Sequence, residues 1–217
     1  MLAGRNGAGK TVLAKTLAGL VEPSEGEVLF EGRTFAEYRD PPAARVGYVF
    51  QDARLQLVGE TVADDVLFGP ANLGMAPGEA RDRADRAIAR CGLAERRDAF
   101  VHTLSGGEMR RLALAGMLAM GPAAVILDEP FANLDREGVS SVLRVVAELA
   151  ADGIALLVVT HELEKVLGMA NRLAVMDGGR IVLSGDPEPT LAAGVERFGL
   201  RDPLRRATKV EELSWLE

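Results

Sequence analysis

The sequence predicts an α/β fold: a mostly parallel sheet with flanking helices, into which an α-helical subdomain is inserted. Three observations carry that prediction. Two short apolar runs, Ala123 to Leu127 and Ile154 to Val159, are bounded by turn residues and lack polar alternation, the pattern of strands covered on both faces. Between them, Glu137 to Ala151 sets Val139, Val142, Leu143, Val146 and Leu149 at helical spacing, so that strand, helix and strand read as a parallel crossover. From Thr61 to about Met120 the chain turns helical, with breaks expected at Gly69-Pro70 and at Gly74 to Gly78.

Taken in order, Met1-Leu2-Ala3 is a shortened strand, and a helix is expected to begin near Lys10. Val46 to Phe50 is a further strand. Val62, Val66 and Leu67 form a helical apolar stripe and read as core. Glu79 to Arg97 mixes arginines with Glu79, Asp82, Asp85 and Glu95, which reads as a solvated, ion-paired helix face. Arg172 to Met176 and Ile181 to Ser184 flank Asp177-Gly178-Gly179 as a hairpin. After Gly185 a short helix and a polar tail are expected, with Trp215 as a packed terminal anchor. The division is one domain, 1–217: an α/β core of 1–55 and 121–185, a helical subdomain of 56–120, and a tail of 186–217.

Composition narrows the function classes. The chain has 217 residues and a net charge of −7, which argues against a general nucleic-acid binder because such a protein needs a basic face. Its one cysteine, Cys91, cannot form an internal disulfide; it reads as a small buried apolar residue in a reducing compartment. The longest uncharged run, between Arg111 and Asp128, is interrupted by Gly121-Pro122 and is too short to span a bilayer. No signal-peptide segment stands at the N-terminus. A soluble chain is expected, held at a membrane only by another protein.

The chemistry-bearing residues then fall into place. Gly4-Arg5-Asn6-Gly7-Ala8-Gly9-Lys10-Thr11 fits the G-x-x-x-x-G-K-[ST] pattern, in which Gly4, Asn6, Gly7 and Gly9 let backbone N–H groups curl around phosphate oxygens. Lys10 would reach the β- and γ-phosphates, and the Thr11 hydroxyl would ligate Mg²⁺. Val125-Ile126-Leu127-Asp128-Glu129-Pro130 sets two carboxylates at a strand end, where open α/β sheets gather their ligands. Asp128 would hold Mg²⁺ through its water shell, and Glu129 would polarise the attacking water as general base. His161 follows a second apolar strand end, where it could sense a γ-phosphate and orient that water; His102 lacks such a context and reads as structural.

Leu104-Ser105-Gly106-Gly107-Glu108, followed by Arg110 and Arg111, opens a second helix with a hydroxyl and bare N–H groups. A second anion-binding helix start is redundant unless it caps a nucleotide held by another subunit. With the phosphate loop, Gln51, Asp128-Glu129 and His161 in order, the sequence resembles the ATP-binding cassette ATPases over nearly its whole length. The resemblance implies a P-loop NTPase fold of the RecA-like kind, ATP and Mg²⁺ as ligands, and two such domains packed head to tail, as a homodimer or a paralogous heterodimer. It implies that Ser105, Gly106 and Gly107 meet the partner's γ-phosphate, that Asp135 lies in the loop across the dimer interface, and that Gln51 links Mg²⁺ and water to the helical subdomain. The stretch Val49-Phe50-Gln51-Asp52, Gln56-Leu57 and Thr61 to Pro70 is similar to energy-coupling-factor transporter ATPases, which drive uptake of vitamins or of cobalt and nickel ions. That likeness implies a transmembrane coupling subunit, a substrate-binding membrane subunit and a place on the cytoplasmic face of the membrane. Ala53 stands where proline is common.

Members of that family carry a few dozen residues before the phosphate loop, supplying two antiparallel strands and an aromatic residue that stacks on adenine. Phe30, Phe35 and Tyr38 come too late in the chain to replace it by position. The expectation is a misplaced start in the gene model; a chain that begins at Met1 is expected to bind nucleotide more weakly, since such a stack is worth ~1–3 kcal/mol. ATPases of DNA repair and chromosome structure carry a long coiled coil between Gln51 and Leu104 or zinc-binding cysteines, and this sequence has neither.

Overall fold

The structure is a computed structural model and is described for residues 1–205. In chain order it comprises β1 (Leu2–Ala3), α1 (Lys10–Leu17), β2 (Leu29–Phe30), β3 (Arg33–Thr34), β4 (Val46–Val49), α2 (Val62–Asn72), α3 (Pro77–Arg90), α4 (Gly106–Ala119), β5 (Ala124–Asp128), α5 (Arg136–Ala151), β6 (Ala155–Thr160), α6 (Leu163–Val166), β7 (Leu173–Asp177), β8 (Arg180–Gly185) and α7 (Pro187–Ala192), with short 3₁₀ turns between. Six strands form one sheet in the order β4-β5-β6-β1-β7-β8, parallel except for the β7–β8 hairpin. The expected crossover is present: β5 and β6 pair in parallel through α5. β1 is only two residues long, yet it pairs on both sides, Leu2 with Val159 and Ala174. β2 and β3 make a separate antiparallel pair. The tail beyond Arg205, with Trp215, lies outside the described residues.

Strand alternation sends side chains to two cores. Ile126, Tyr48, Leu2 and Val159 pack with Ala14 and Ala18 of α1 on one face. Val125, Leu127, Val49 and Val158 pack on the other face with α4 and α5, through Leu112, Ala115, Val142 and Val146. The same apolar cluster continues into α2 and α3 through Val62, Val66 and Ile88; of the expected stripe, Val62 and Val66 are core and Leu67 packs half-buried against it.

Helix starts are set by local chemistry. Thr61 caps α2 and Ser105 caps α4, each with a reciprocal bond from the acid three residues on, Asp64 and Glu108. Asp135 caps α5 by accepting from Gly138 N at 2.8 Å. One expected break is absent: Gly69-Pro70 lies inside α2. Pro70 forfeits a single hydrogen bond in the last turn, and Gly69 is there for close packing, because a Cβ would meet Met120 Cγ at 2.8 Å. The helix ends instead at Gly74, whose φ is 73°. The Glu79 to Arg97 segment forms surface ion pairs as expected, Arg83 with Glu79 and Arg97 with Asp85.

Candidate active site

Strand β1 delivers the chain to Gly4 so close to β7 that a Cβ would meet the Met176 carbonyl oxygen at 2.3 Å. The following loop curls through Gly7 and Gly9, with φ of 82° and 97°. It is anchored by Gly179 N donating to Ala8 O at 3.1 Å. Gly9 caps α1 without a side-chain bond, which leaves the first helical amides open to an anion. Lys10 is buried; its Nζ donates to Gly4 O at 2.7 Å and Arg5 O at 3.3 Å, and lies 3.7 Å from Glu129 Oε1. Residues 6–12, Gln51, Glu129 and His161 together line a cavity of about 420 Å³.

Glu129 is 5 % exposed and takes a left-handed backbone, φ 47°. That conformation is uncommon for a residue with a Cβ. The surroundings hold it: Glu129 N donates to Val159 O at 2.8 Å, and its own carbonyl accepts from Arg110 Nη1 at 3.0 Å. Oε2 accepts from Thr160 Oγ1 at 3.0 Å, and Oε1 shares a 2.9 Å hydrogen bond with His161 Nδ1. The carboxylate thus sits among Lys10, Thr160 and His161 at the phosphate-loop cavity. Arg110, buried on α4, also donates through Nη2 to Ala132 O at 3.0 Å, and desolvation lowers its pKa.

Asp128 is 1 % exposed. Its Oδ2 accepts from the Tyr48 hydroxyl at 2.8 Å, while its Oδ1 is buried without a partner. Burial, and then the bond to Asp128, raise the Tyr48 pKa, so the phenol keeps its proton. Asp128, Thr11 and Gln51 share a second cavity of about 590 Å³ with Gly106 and Arg110. Among the described residues no group of three or more His, Cys, Asp or Glu could hold a metal. A hard cation that keeps waters and binds through one carboxylate, as Mg²⁺ does, fits Asp128 with the Thr11 hydroxyl and Gln51 amide, and the orphaned Oδ1 is what it would satisfy.

Ser105, Gly106, Gly107 and Asp135 line a third cavity of about 530 Å³, together with Glu108, Arg111 and Glu137. The structure therefore brings the loop, Gln51, Glu129 and His161 to one hollow, Thr11, Gln51 and Asp128 to its neighbour, and the second helix start to a third, which adjoins that neighbour through Gly106, Asn133 and Leu134. Gly4 lines none of the three; it supplies the carbonyl that holds Lys10. Cys91 is fully buried, and burial pushes its thiol up to about 12. His102 is exposed and stacks on Phe100 at 5.5 Å, away from these cavities.

Four contacts at the site could not be paired from the motifs. Tyr48 reaches Asp128 across 80 residues of sequence, and Arg110 reaches the Glu129 backbone. Gln56 accepts from Phe50 N at 3.1 Å and donates to Ala113 O at 3.3 Å, tying the segment before Gln51 to α4. Arg110, Gln56 and Thr160 each stood in or beside a quoted run, but no run told what the side chain would meet.

Residues 1–132 match the family described as ABC transporter. The cobalt import ATP-binding protein CbiO of Rhodobacter capsulatus is 41% identical over 206 residues, 93% of this chain and 74% of that protein. The energy-coupling factor transporter ATP-binding protein EcfA of Methanosarcina acetivorans is 42% identical over 205 residues, again 93% and 74%. Among solved structures, cbiO1 from Clostridium perfringens, described as part of the ABC transporter complex cbiONQ, superposes with a TM-score of 0.80 at 34% identity, covering 98% of this chain and 85% of that one.

Proposed function

The chain belongs to the ABC transporter family, and on that premise we propose that it is the ATP-hydrolysing subunit of an energy-coupling-factor importer, powering uptake of a vitamin or of a cobalt or nickel ion. The observation that carries the catalytic part is the Glu129 carboxylate, held by Thr160 and His161 beside the phosphate loop. A carboxylate at Glu129 can only accept hydrogen bonds, so His161 Nδ1 carries the hydrogen of their bond. Glu129 takes the proton of the water that attacks the γ-phosphate, and His161, through Nδ1, fixes the carboxylate that receives it. Lys10 gives up its loop carbonyls for β- and γ-phosphate oxygens, and the amides of residues 6–11 hold the rest. Thr11, Gln51 and Asp128 would hold Mg²⁺, which would supply charge neutralisation at the phosphates.

The separate cavity at Ser105, Gly106, Gly107 and Asp135 supports a dimer in which each chain completes the other's nucleotide site, either as two copies or as paralogues. The division into an α/β core (1–55, 121–185), a helical subdomain (56–120) and a tail (186–217) belongs to the same reading. The helical part bears an apolar groove of about 330 Å³ lined by Val58, Phe68, Met117 and Met120, with Phe68 52 % exposed. It suits a coupling helix of a transmembrane subunit, whose substrate-binding partner selects the solute. Among the described residues no helix is long and apolar enough to cross a membrane, which accords with a subunit held at the cytoplasmic face by those partners.

Replacing Glu129 by Gln tests the assignment. Nucleotide binding is expected to persist, turnover to fall by at least about a hundredfold, the upper reach of a lost general base being ~10⁴, and the ATP-bound dimer to accumulate in size-exclusion chromatography. Turnover at the unsubstituted rate would refute the assigned base.

A further inference from the structure

The two oxygens of Asp128 stand in unlike situations. Oδ2 accepts a 2.8 Å hydrogen bond from Tyr48, and Oδ1 is buried with nothing to pair with. A carboxylate in a closed site can present either oxygen by rotating about its last bond; a donor fixed on one of them removes that freedom. Tyr48 is well placed to be such a donor. It is 4 % exposed in the middle of β4, in register with Ile126 of β5, and its ring stands edge-on to Phe50 at 5.0 Å. The same strand leads on to Gln51.

We infer that Tyr48 is a positioning residue of the magnesium site: its hydroxyl occupies Asp128 Oδ2 and commits Oδ1 to the cation or the cation's water shell. The inference rests on the proposed reading of Asp128 as the carboxylate on the magnesium side. Outer hydrogen bonds of this kind orient ligand carboxylates, and removing one typically weakens metal affinity by about 10–100-fold. Because the hydroxyl is the only group that Phe lacks, Tyr48→Phe separates the hydrogen bond to Asp128 from the packing of the ring.

Mn²⁺ is the probe, its free concentration read by electron paramagnetic resonance in the presence of a saturating non-hydrolysable ATP analogue. Tyr48→Phe is expected to weaken Mn²⁺ binding by about tenfold or more, while affinity for the analogue without metal stays unchanged. Unaltered Mn²⁺ affinity overturns the inference, as does an equal loss of metal-free nucleotide binding, which would mark a structural role. Asp128→Asn is the control: if it keeps full Mn²⁺ affinity, the underlying reading of Asp128 fails instead. A measurement that leaves Tyr48 intact covers the case in which the Phe variant does not fold. The sequence has two tyrosines, so Tyr38→Phe, labelled with ¹³C at the tyrosine Cζ, reports on Tyr48 alone. Adding Mg²⁺ to the analogue complex should move that resonance beyond the shift produced by the analogue itself; a resonance that stays put rejects the role.

Discussion

Two helices in this molecule begin at glycine-rich turns, and their surroundings differ. At α1, Gly9 supplies no side-chain cap, the first amides stay open, and the buried Lys10 stands among them. At α4, Ser105 accepts from Glu108 N at 3.3 Å and Ser105 N donates to Glu108 Oε2 at 2.8 Å, so the end is partly satisfied from within. The α1 hollow contains Lys10 beside Glu129; the α4 hollow contains Glu108, Asp135 and Glu137 with Arg111, and Glu108 is also paired with Arg96 at 3.1 Å. On the proposed reading the first takes a polyphosphate by itself. On the same reading the second, whose helix start is already capped by Glu108, acts on an anion that another body has brought. One is a site and the other is half of a site.

Gly107→Asp tests that contrast most severely. A Cβ there meets Gly138 Cα at 3.5 Å, an ordinary contact, so the fold should tolerate it. A carboxylate set against a partner's γ-phosphate costs several kcal/mol, and turnover should fall by about a hundredfold or more, with nucleotide affinity of the separated chain unchanged. A matching loss of affinity in the separated chain would erase the distinction between the two hollows. Lys10→Ala should do the converse. Losing charge-assisted hydrogen bonds to phosphate costs about 1.5–3 kcal/mol, so calorimetry should show Mg-ATP affinity reduced about ten- to a hundredfold; an unaltered affinity would remove the α1 hollow from nucleotide binding.

The smallest effect concerns Glu108. The bond from Ser105 N is the main reason its pKa lies below the ordinary glutamate value. The native chain therefore releases this proton at lower pH than the unfolded one, and the stabilisation is complete above the unfolded pKa and lost as pH falls through the folded value. The stability difference between the unsubstituted chain and Glu108→Gln should be about 1 kcal/mol or less near neutrality, the usual worth of a cap. Thermal unfolding across pH should show it closing on acidification below about pH 4.3. A gap that stays constant with pH would mean that the carboxylate does not brace the α4 start.

What could be read in the sequence was whatever lies contiguous in it. The phosphate loop, the acids after β5 and His161 each follow a recognisable run, and hydrophobic spacing located β4, β5, α5 and β6 within a residue or two. The contacts that aim those groups lie across the chain: Tyr48 meets Asp128 from a neighbouring strand, and Arg110 meets Glu129 from a helix. No local pattern announces such pairs, because each depends on strand register and helix placement. Gly69-Pro70 misled for the opposite reason. Its local signal was a break, and packing against Met120 overrode it.

The backbone of Glu129 sets folding and function at odds. A left-handed conformation costs a residue with a Cβ roughly 1–2 kcal/mol relative to glycine, and the chain accepts that cost at the position of its assigned base. Glycine at position 129 would lift that cost but also strip Thr160 and His161 of the carboxylate they hold, so the strained backbone and the hydrogen bonds around it are kept or lost together.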